Sequence, residues 1–121
     1  MKEYSGGCHC GEIRFTFNSD ESVQLWKCNC SICDMLDYDH LFIKHHLFKI
    51  TTGKEFLTEY VFESKTAKHL FCKKCGTKSF YQPRSHRDVF SINLKCVDDP
   101  PEVNKIVYFD GKNFEESIKH I

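Results

Sequence analysis

Cysteine spacing is the feature of this sequence that is best suited to chemistry. Seven of the eight cysteines fall into a first, a central and a last cluster, and Cys96 stands apart. The clusters are Cys8-His9-Cys10, Cys28-Asn29-Cys30-Ser31-Ile32-Cys33 and Cys72-Lys73-Lys74-Cys75-Gly76. Four thiolates close a tetrahedral zinc ion, whereas three leave one position for water, a histidine or a substrate thiol. Seven clustered cysteines therefore indicate one closed and one open metal site.

The spacing favours one way of sharing the clusters between two ions. The last cluster has the Cys-x-x-Cys-Gly pattern of a zinc knuckle, in which a tight turn brings two sulfurs to one ion. In the first cluster, a spacing of two places both cysteines on one side of an extended segment and turns His9 to the other side. The central cluster can supply three ligands by itself. Pairing the first cluster with the last leaves the central cluster open, although swapped pairings remain possible.

Size and composition predict a small intracellular domain. The chain has 121 residues, which we interpret as one domain over 1–121, and metal can supply stability that its short apolar runs lack. The N-terminus has no apolar signal segment, and no stretch approaches the roughly 20 apolar residues of a membrane span. We expect a cytoplasmic or nuclear protein without a membrane partner, whose cysteines bind metal instead of forming disulfides.

Balanced charge argues against a nucleic-acid partner. The chain has 17 basic and 17 acidic residues, so no global field attracts nucleic acid. The clusters themselves are a different case, because seven thiolates outweigh the charge of two divalent ions. Four lysines beside the clusters are expected to offset this charge: Lys27, Lys73, Lys74 and Lys78.

The elements that must position the clusters are mostly strands. Residues 12–18 alternate in polarity, with Ile13, Phe15 and Phe17 on one face, as in a half-buried strand. Similar short strands are predicted over 23–27, 40–43, 48–51, 56–62, 68–71, 78–81, 89–93 and 105–109. A last helix is predicted over 113–119, with its asparagine as the cap. The sequence thus predicts a mainly β fold with one or two short helices.

Several motifs in order resemble a known family. Besides the central cluster, they are Ser5-Gly6-Gly7-Cys8-His9-Cys10-Gly11, His69-Leu70-Phe71-Cys72-Lys73-Lys74-Cys75-Gly76, Ser79-Phe80-Tyr81 and Pro83-Arg84-Ser85. From about Ser5 to about Asp99, the chain resembles the glutathione-dependent formaldehyde-activating enzyme family, which includes centromere protein V. The central cluster, the Tyr-x-Pro-Arg-Ser motif and Cys96-Val97-Asp98 are most similar to the centromere protein V branch.

The resemblance implies a small, zinc-stapled Mss4-like β fold with two zinc ions per chain. It implies a structural zinc on Cys8, Cys10, Cys72 and Cys75, and a second zinc on Cys28, Cys30 and Cys33. It also implies that glutathione and formaldehyde combine at the second zinc into S-hydroxymethylglutathione, which is the chemistry of a carbon-sulfur lyase. The segment 34–40 departs from the glycine-containing sequence of many bacterial members, so the pocket is expected to differ there.

Chemistry at an open site needs further groups. A thiol held as thiolate can attack an aldehyde carbon, and the new oxygen needs a proton from a group that titrates near neutrality. The candidate acids are His40, His45, His46 and His69. Arg84, in a turn-like segment, is the candidate for binding the carboxylates of glutathione, since a planar guanidinium suits them. Its alternative role is to brace a loop or to neutralise thiolates.

Two questions stay open at the level of sequence. Cys96 is either the fourth ligand of the central site or a buried small hydrophobe, which is the commoner fate of a lone cysteine. The function is either lyase-like chemistry on a small thiol and an aldehyde, or one of two alternatives without catalysis. These alternatives are a zinc-bound glutathione carrier and an interaction module of the centromere protein V type.

Overall fold

A computed structural model describes residues 1–62 and 67–121 of the chain. In these ranges the strands are β1 Lys2–Gly7, β2 Arg14–Ser19, β3 Ser22–Cys28, β4 His40–Lys44, β5 Phe48–Thr52, β6 Leu57–Tyr60, β7 His69–Cys72, β8 Phe80–Tyr81, β9 Val89–Asn93, β10 Val97–Asp98 and β11 Glu102–Phe109. The α-helices are α1 Ser31–Leu36 and α2 Phe114–Ser117. Single 3-10 turns cover His45–Leu47, Lys54–Phe56, Leu94–Cys96, Gly111–Asn113 and Ile118–His120. None of these described helices is long and apolar enough to cross a membrane.

The strands form two larger sheets and one hairpin. One sheet has the order β10-β1-β2-β5, the other has the order β11-β3-β4-β9-β8, and β6 pairs with β7. All of these pairs are antiparallel except β11 with β3, which run parallel. The predicted mainly β fold with short helices is confirmed.

The two larger sheets share one apolar core. The predicted alternation around β2 is confirmed, because Ile13, Phe15 and Phe17 are almost completely buried. Phe15 meets Phe48 of β5 with ring centroids 5.2 Å apart, and it meets Phe80 of β8 edge to face at 5.8 Å. The Phe80 contact links the two sheets, so aromatic packing determines how they face each other.

Strand β1 was not predicted from the sequence. Its second half, Ser5-Gly6-Gly7, lacks the apolar alternation of a strand, but its glycines let neighbouring groups approach closely. A Cβ added at Gly6 would lie 2.6 Å from the carbonyl oxygen of Cys96 and 2.9 Å from the Phe15 ring. At Gly6, close packing of main chain against a ring thus replaces side-chain burial.

Other predicted boundaries were partly wrong. The strand predicted over 56–62 covers only Leu57–Tyr60, because Gly53, at φ +80°, starts a 3-10 turn before it. The strand predicted over 78–81 is limited to its last two residues. At the C-terminus, a 3-10 turn leads into α2, and the Asn113 side chain donates a hydrogen bond to Asp110 instead of capping the helix.

Candidate metal centres and their cavity

The first and last clusters come together as the four-sulfur set, which consists of Cys8, Cys10, Cys72 and Cys75. All four Sγ atoms lie within 4.8 Å of one another. The Cys8 and Cys10 sulfurs are 3.6 Å apart, and the Cys10 and Cys72 sulfurs are 3.8 Å apart. Zinc–sulfur bonds of about 2.3 Å in a tetrahedron place sulfurs about 3.8 Å apart. The set could therefore hold a tetrahedral metal ion.

Tight turns hold both halves of the four-sulfur set. The first cluster is a turn and not the predicted extended segment, since the N–H of Gly11 donates to the Cys8 carbonyl at 3.1 Å. In the last cluster, the N–H of Gly76 donates to the Cys72 carbonyl at 2.7 Å. Both glycines have positive φ, +82° and +78°, a conformation that disfavours other residues. His9 lies at the exposed turn, outside the set.

The central cluster forms the three-sulfur set, which consists of Cys28, Cys30 and Cys33. Cys28 is the last residue of β3, Cys30 directly precedes α1, and Cys33 lies buried within that helix. Their Sγ atoms also lie within 4.8 Å of one another. The end of a strand and the start of a helix thus present three sulfurs to one point, and this set could also hold a metal ion.

The three sulfurs compete for protons. Hydrogen bonds from Cys28 and Cys33 lower the pKa of Cys30 to about 2. The contact with Cys30 raises the pKa of Cys28, and the contacts with Cys28 and then Cys30 raise the pKa of Cys33. One thiolate is therefore stabilised by two neighbouring S–H groups. A cation in the same position would replace the shared protons and stabilise all three sulfurs as thiolates.

The C-terminal segment is fastened to the three-sulfur set. The Asn29 side chain donates to the Asp110 carboxylate at 2.9 Å and accepts from the N–H of Lys112 at 3.0 Å. These bonds press Gly111 against the cysteines, so that a Cβ added there would lie 2.5 Å from the Cys28 sulfur. In the sequence, Asp110-Gly111-Lys112 has only the pattern of a turn. Its contact with Cys28 joins residues too distant along the chain for a local pattern to reveal.

A cavity of about 270 Å³ opens onto the three-sulfur set. Its wall contains all three cysteines together with His40, His69, Arg84, Lys112 and several aromatic rings. Among the described residues, this wall contains no aspartate or glutamate, whereas it contains the basic side chains of Arg84 and Lys112. The cavity therefore favours a ligand that carries negative charge.

A family comparison agrees with this arrangement. The model of the family described as glutathione-dependent formaldehyde-activating enzyme matches residues 3–110. The chain belongs to this family. A crystal structure of a Rhodobacter sphaeroides protein is also similar, with 26% sequence identity and a TM-score of 0.75. That match covers 85% of this chain and 99% of the other.

In this member of the glutathione-dependent formaldehyde-activating enzyme family, His40 lies buried in the cavity wall. Its Nδ1 is 2.8 Å from the Ser91 hydroxyl and 3.4 Å from the hydroxyl of Tyr81, which in turn lies 3.9 Å from the Cys33 sulfur. Its Nε2 is buried and has no hydrogen-bond partner among the described residues. Burial lowers the pKa of His40 to about 3, so the ring is neutral at physiological pH.

His69 is the second histidine in the wall. Its ring stacks on Tyr81 with centroids 4.9 Å apart and on Phe62 at 5.3 Å. Its Nδ1 lies 2.7 Å from the ammonium nitrogen of the buried Lys78. Burial, with the charge of Lys78, lowers the pKa of His69 to about 4. Burial thus favours the neutral, hydrogen-bonding form of both cavity histidines.

The other two candidate histidines lie elsewhere. His45 and His46 occupy the exposed 3-10 turn after β4 and are not part of the cavity wall. His45 Nε2 lies 2.7 Å from Oε1 of Gln82, and its ring packs on Phe90 with centroids 4.4 Å apart. The structure therefore brings only two of the four predicted histidines to the three-sulfur set.

Arg84 lies in the cavity wall, as the substrate-binding prediction requires. Its guanidinium carbon sits 3.4 Å from the centroid of the Phe114 ring, which belongs to α2 and also lines the cavity. When a guanidinium stacks on an aromatic ring, its N–H groups point outward in the guanidinium's own plane and can still form hydrogen bonds. Arg84 can therefore bind an anion while α2 holds it in place.

The four lysines that were expected to offset thiolate charge differ in their surroundings. Lys27 forms ion pairs with Asp39 and Asp37, and Lys74 pairs with Glu12. Lys73 lies over the Phe56 ring. Lys78 is the buried one, and desolvation lowers its pKa to about 8 against the opposing attraction of the three-sulfur set. Lys78 differs from the other three lysines in being buried, and no local sequence pattern predicts this burial.

Cys96 belongs to neither sulfur set within the described part of the chain. The residue is half-buried, in the 3-10 turn that precedes β10. Burial, and then the charges of Cys8 and Cys75, raise the pKa of its thiol to about 11. The structure thus does not bring Cys96 to the three-sulfur set as a fourth sulfur.

Proposed function

We propose that this chain is a zinc-dependent carbon-sulfur lyase that acts on the adduct of glutathione and formaldehyde, of the S-(hydroxymethyl)glutathione synthase type. The observation that carries this proposal is the three-sulfur set in the wall of a cavity that has no described aspartate or glutamate. Membership of the family supports glutathione and formaldehyde as the substrates. The four-sulfur set has the complete ligand number of a structural site.

Both sulfur sets suit zinc, which we propose as two ions per chain. Thiolate sulfur is a preferred zinc donor, and the sulfur separations of 3.6 and 3.8 Å in the four-sulfur set match tetrahedral bonding. Zinc on Cys28, Cys30 and Cys33 would supply one function, which is to lower the pKa of a thiol that takes the remaining position. The roles that follow belong to the chain's own residues.

Arg84 and Lys112 are proposed to bind the substrate's carboxylates. Both line the cavity, and glutathione carries two carboxylates. A planar guanidinium can hold one of them through two parallel hydrogen bonds. Binding of these carboxylates would hold glutathione in the cavity whose wall contains the three cysteines.

The neutral histidines are proposed to orient the aldehyde. His40 and His69 both line the cavity that contains the three sulfurs, and His40 Nε2 is a buried atom without a described partner. A buried polar atom without a partner costs about 1–3 kcal/mol, so a polar ligand that satisfies His40 Nε2 would gain affinity. Because burial keeps both rings neutral, they can hydrogen-bond an aldehyde or hydroxyl oxygen, whereas water supplies the proton.

A glutathione–formaldehyde exchange measurement tests the proposed function. Exchange is followed by magnetization transfer with protein at catalytic dose, compared with a reaction without protein and with the Cys30→Ser variant. We expect the wild type to accelerate exchange and the variant not to. Unchanged exchange in a wild-type sample that holds two zinc ions would reject catalysis. Calorimetric glutathione binding in that sample would then identify a carrier, and its absence would favour an interaction module.

Replacing Arg84 tests substrate binding separately from metal binding. Arg84→Ala is expected to weaken glutathione affinity about tenfold, because a charge-assisted hydrogen bond to a carboxylate is lost. Titration calorimetry measures the affinity, and metal analysis should still find two zinc ions. The matched control is Arg87→Ala, an exposed neighbour outside the cavity wall, which should bind glutathione normally. Equal affinities in both variants would contradict the assignment.

A further inference from the structure

The buried lysine behind the cavity has a defined hydrogen-bond partner. Lys78 is 8% exposed, and its Nζ lies 2.7 Å from Nδ1 of His69 and 3.7 Å from the centroid of the Tyr81 ring. None of the ion pairs of the described residues involves Lys78. An ammonium group has three donors and no acceptor. Nδ1 of His69 must therefore be the acceptor in this contact.

This contact decides where the proton of His69 lies. A neutral imidazole carries one N–H, and the nitrogen that accepts a hydrogen bond is the one without it. Because Lys78 donates to Nδ1, the N–H of His69 is on Nε2. No described residue accepts a hydrogen bond from Nε2, so this N–H is available to a ligand.

The surroundings of the ring direct Nε2 to the cavity. The faces of the His69 ring stack on Phe62 and Tyr81, with interplanar angles of 23° and 19°. Only an edge of the ring is left to reach the cavity. His69 lines the cavity and Lys78 does not, so the edge with Nδ1 faces Lys78 and the opposite edge faces the cavity.

We infer that Lys78 is a positioning residue that holds His69 with its Nε2–H directed at the substrate oxygen, an inference that rests on the proposed function. When the thiol sulfur bonds to the aldehyde carbon, the carbonyl π pair moves to oxygen, and the Nε2–H stabilises the resulting negative charge. The thiol has released one proton to solvent, and the oxygen takes one from solvent. Carbon-sulfur cleavage is the same step in reverse.

The first test is spectroscopic and needs no turnover. Long-range ¹H–¹⁵N correlation of the zinc-loaded protein reports which ring nitrogen of His69 carries the proton. We expect the Nε2–H tautomer in the wild type and in Lys73→Met, a control at an exposed lysine outside the cavity wall. In Lys78→Met we expect the Nδ1–H tautomer to become populated. A wild-type Nδ1–H tautomer, or a spectrum unaffected by Lys78→Met, would overturn the inference.

The second test is a double-mutant cycle on ligand binding. Affinity is measured by calorimetry for glutathione alone and for glutathione with excess formaldehyde, and zinc content is measured in every sample. Lys78→Met should weaken binding of the formaldehyde-containing mixture about tenfold while glutathione alone binds as before. In a His69→Gln background, whose amide keeps a donor near the position of Nε2, Lys78→Met should have no further effect.

The outcomes separate the inference from the function on which it rests. Failure of the wild type to bind either preparation rejects the proposed function. Two outcomes overturn the inference when the wild type binds normally. In the first, Lys78→Met weakens binding of both preparations equally, and in the second, Lys78→Met still has an effect in the His69→Gln background. Either outcome means that Lys78 acts on the sulfur set.

Discussion

Cys72→Ser is expected to unfold the chain at room temperature. Cys72 is completely buried and its sulfur belongs to the four-sulfur set, so serine removes one of the four proposed zinc ligands and leaves a poor hydroxyl donor in its place. Structural zinc contributes about 10–16 kcal/mol in small metal domains, whereas a whole domain is stable by about 5–15 kcal/mol. We expect circular dichroism to show loss of the β signal and metal analysis to show loss of bound zinc.

The size of this effect follows from what the four-sulfur set joins. It ties the turn after β1 to the end of β7, and more than sixty residues lie between these two points. Closing so long a loop without metal costs conformational entropy that the small core must supply. Cys33→Ser is the matched control, because it should lose the zinc of the three-sulfur set and stay folded. Cooperative melting of Cys72→Ser near the wild-type temperature would contradict the structural role.

The sequence predicts those parts of the fold that depend on local pattern. The alternation of Ile13, Phe15 and Phe17 predicts their burial, because a strand with one face in the core repeats every two residues. Strand β1 has no such pattern, since Gly6 is selected by the close approach of Cys96 and Phe15. Contacts of that kind form only when the sheets assemble, so the sequence around the glycine does not predict them.

In the candidate site, too, some features are predictable from the local sequence and others depend on the folded chain. Spacing favoured this grouping of the cysteines, although it left swapped pairings open, and four histidines looked equivalent until burial distinguished them. His40 and His69 line the cavity with lowered pKa values, whereas His45 and His46 lie on the exposed turn. The expectation that an acid would titrate near neutrality assumed a solvated ring. Desolvation is a property of the folded chain, so it could not enter that expectation.

The geometry of the three-sulfur set is sensitive to substitution of Gly111. Gly111→Ala is expected to abolish zinc binding at this set while the four-sulfur set keeps its ion. The added Cβ would lie 2.5 Å from the Cys28 sulfur and 2.9 Å from Cβ of Cys30, and real Cβ atoms do not approach so closely. Either the sulfur or the C-terminal segment must move. The segment is held by two hydrogen bonds of Asn29, which is itself part of the central cluster, so movement of either one displaces ligands.

Metal analysis and the exchange measurement together decide this prediction. Gly111→Ala should contain one zinc ion per chain, melt cooperatively because the four-sulfur set is intact, and show exchange no faster than the reaction without protein. The control is Glu115→Ala, an exposed residue in the same segment, which should keep both ions and the wild-type rate. Two zinc ions in Gly111→Ala would mean that the segment yields without disturbing the ligands.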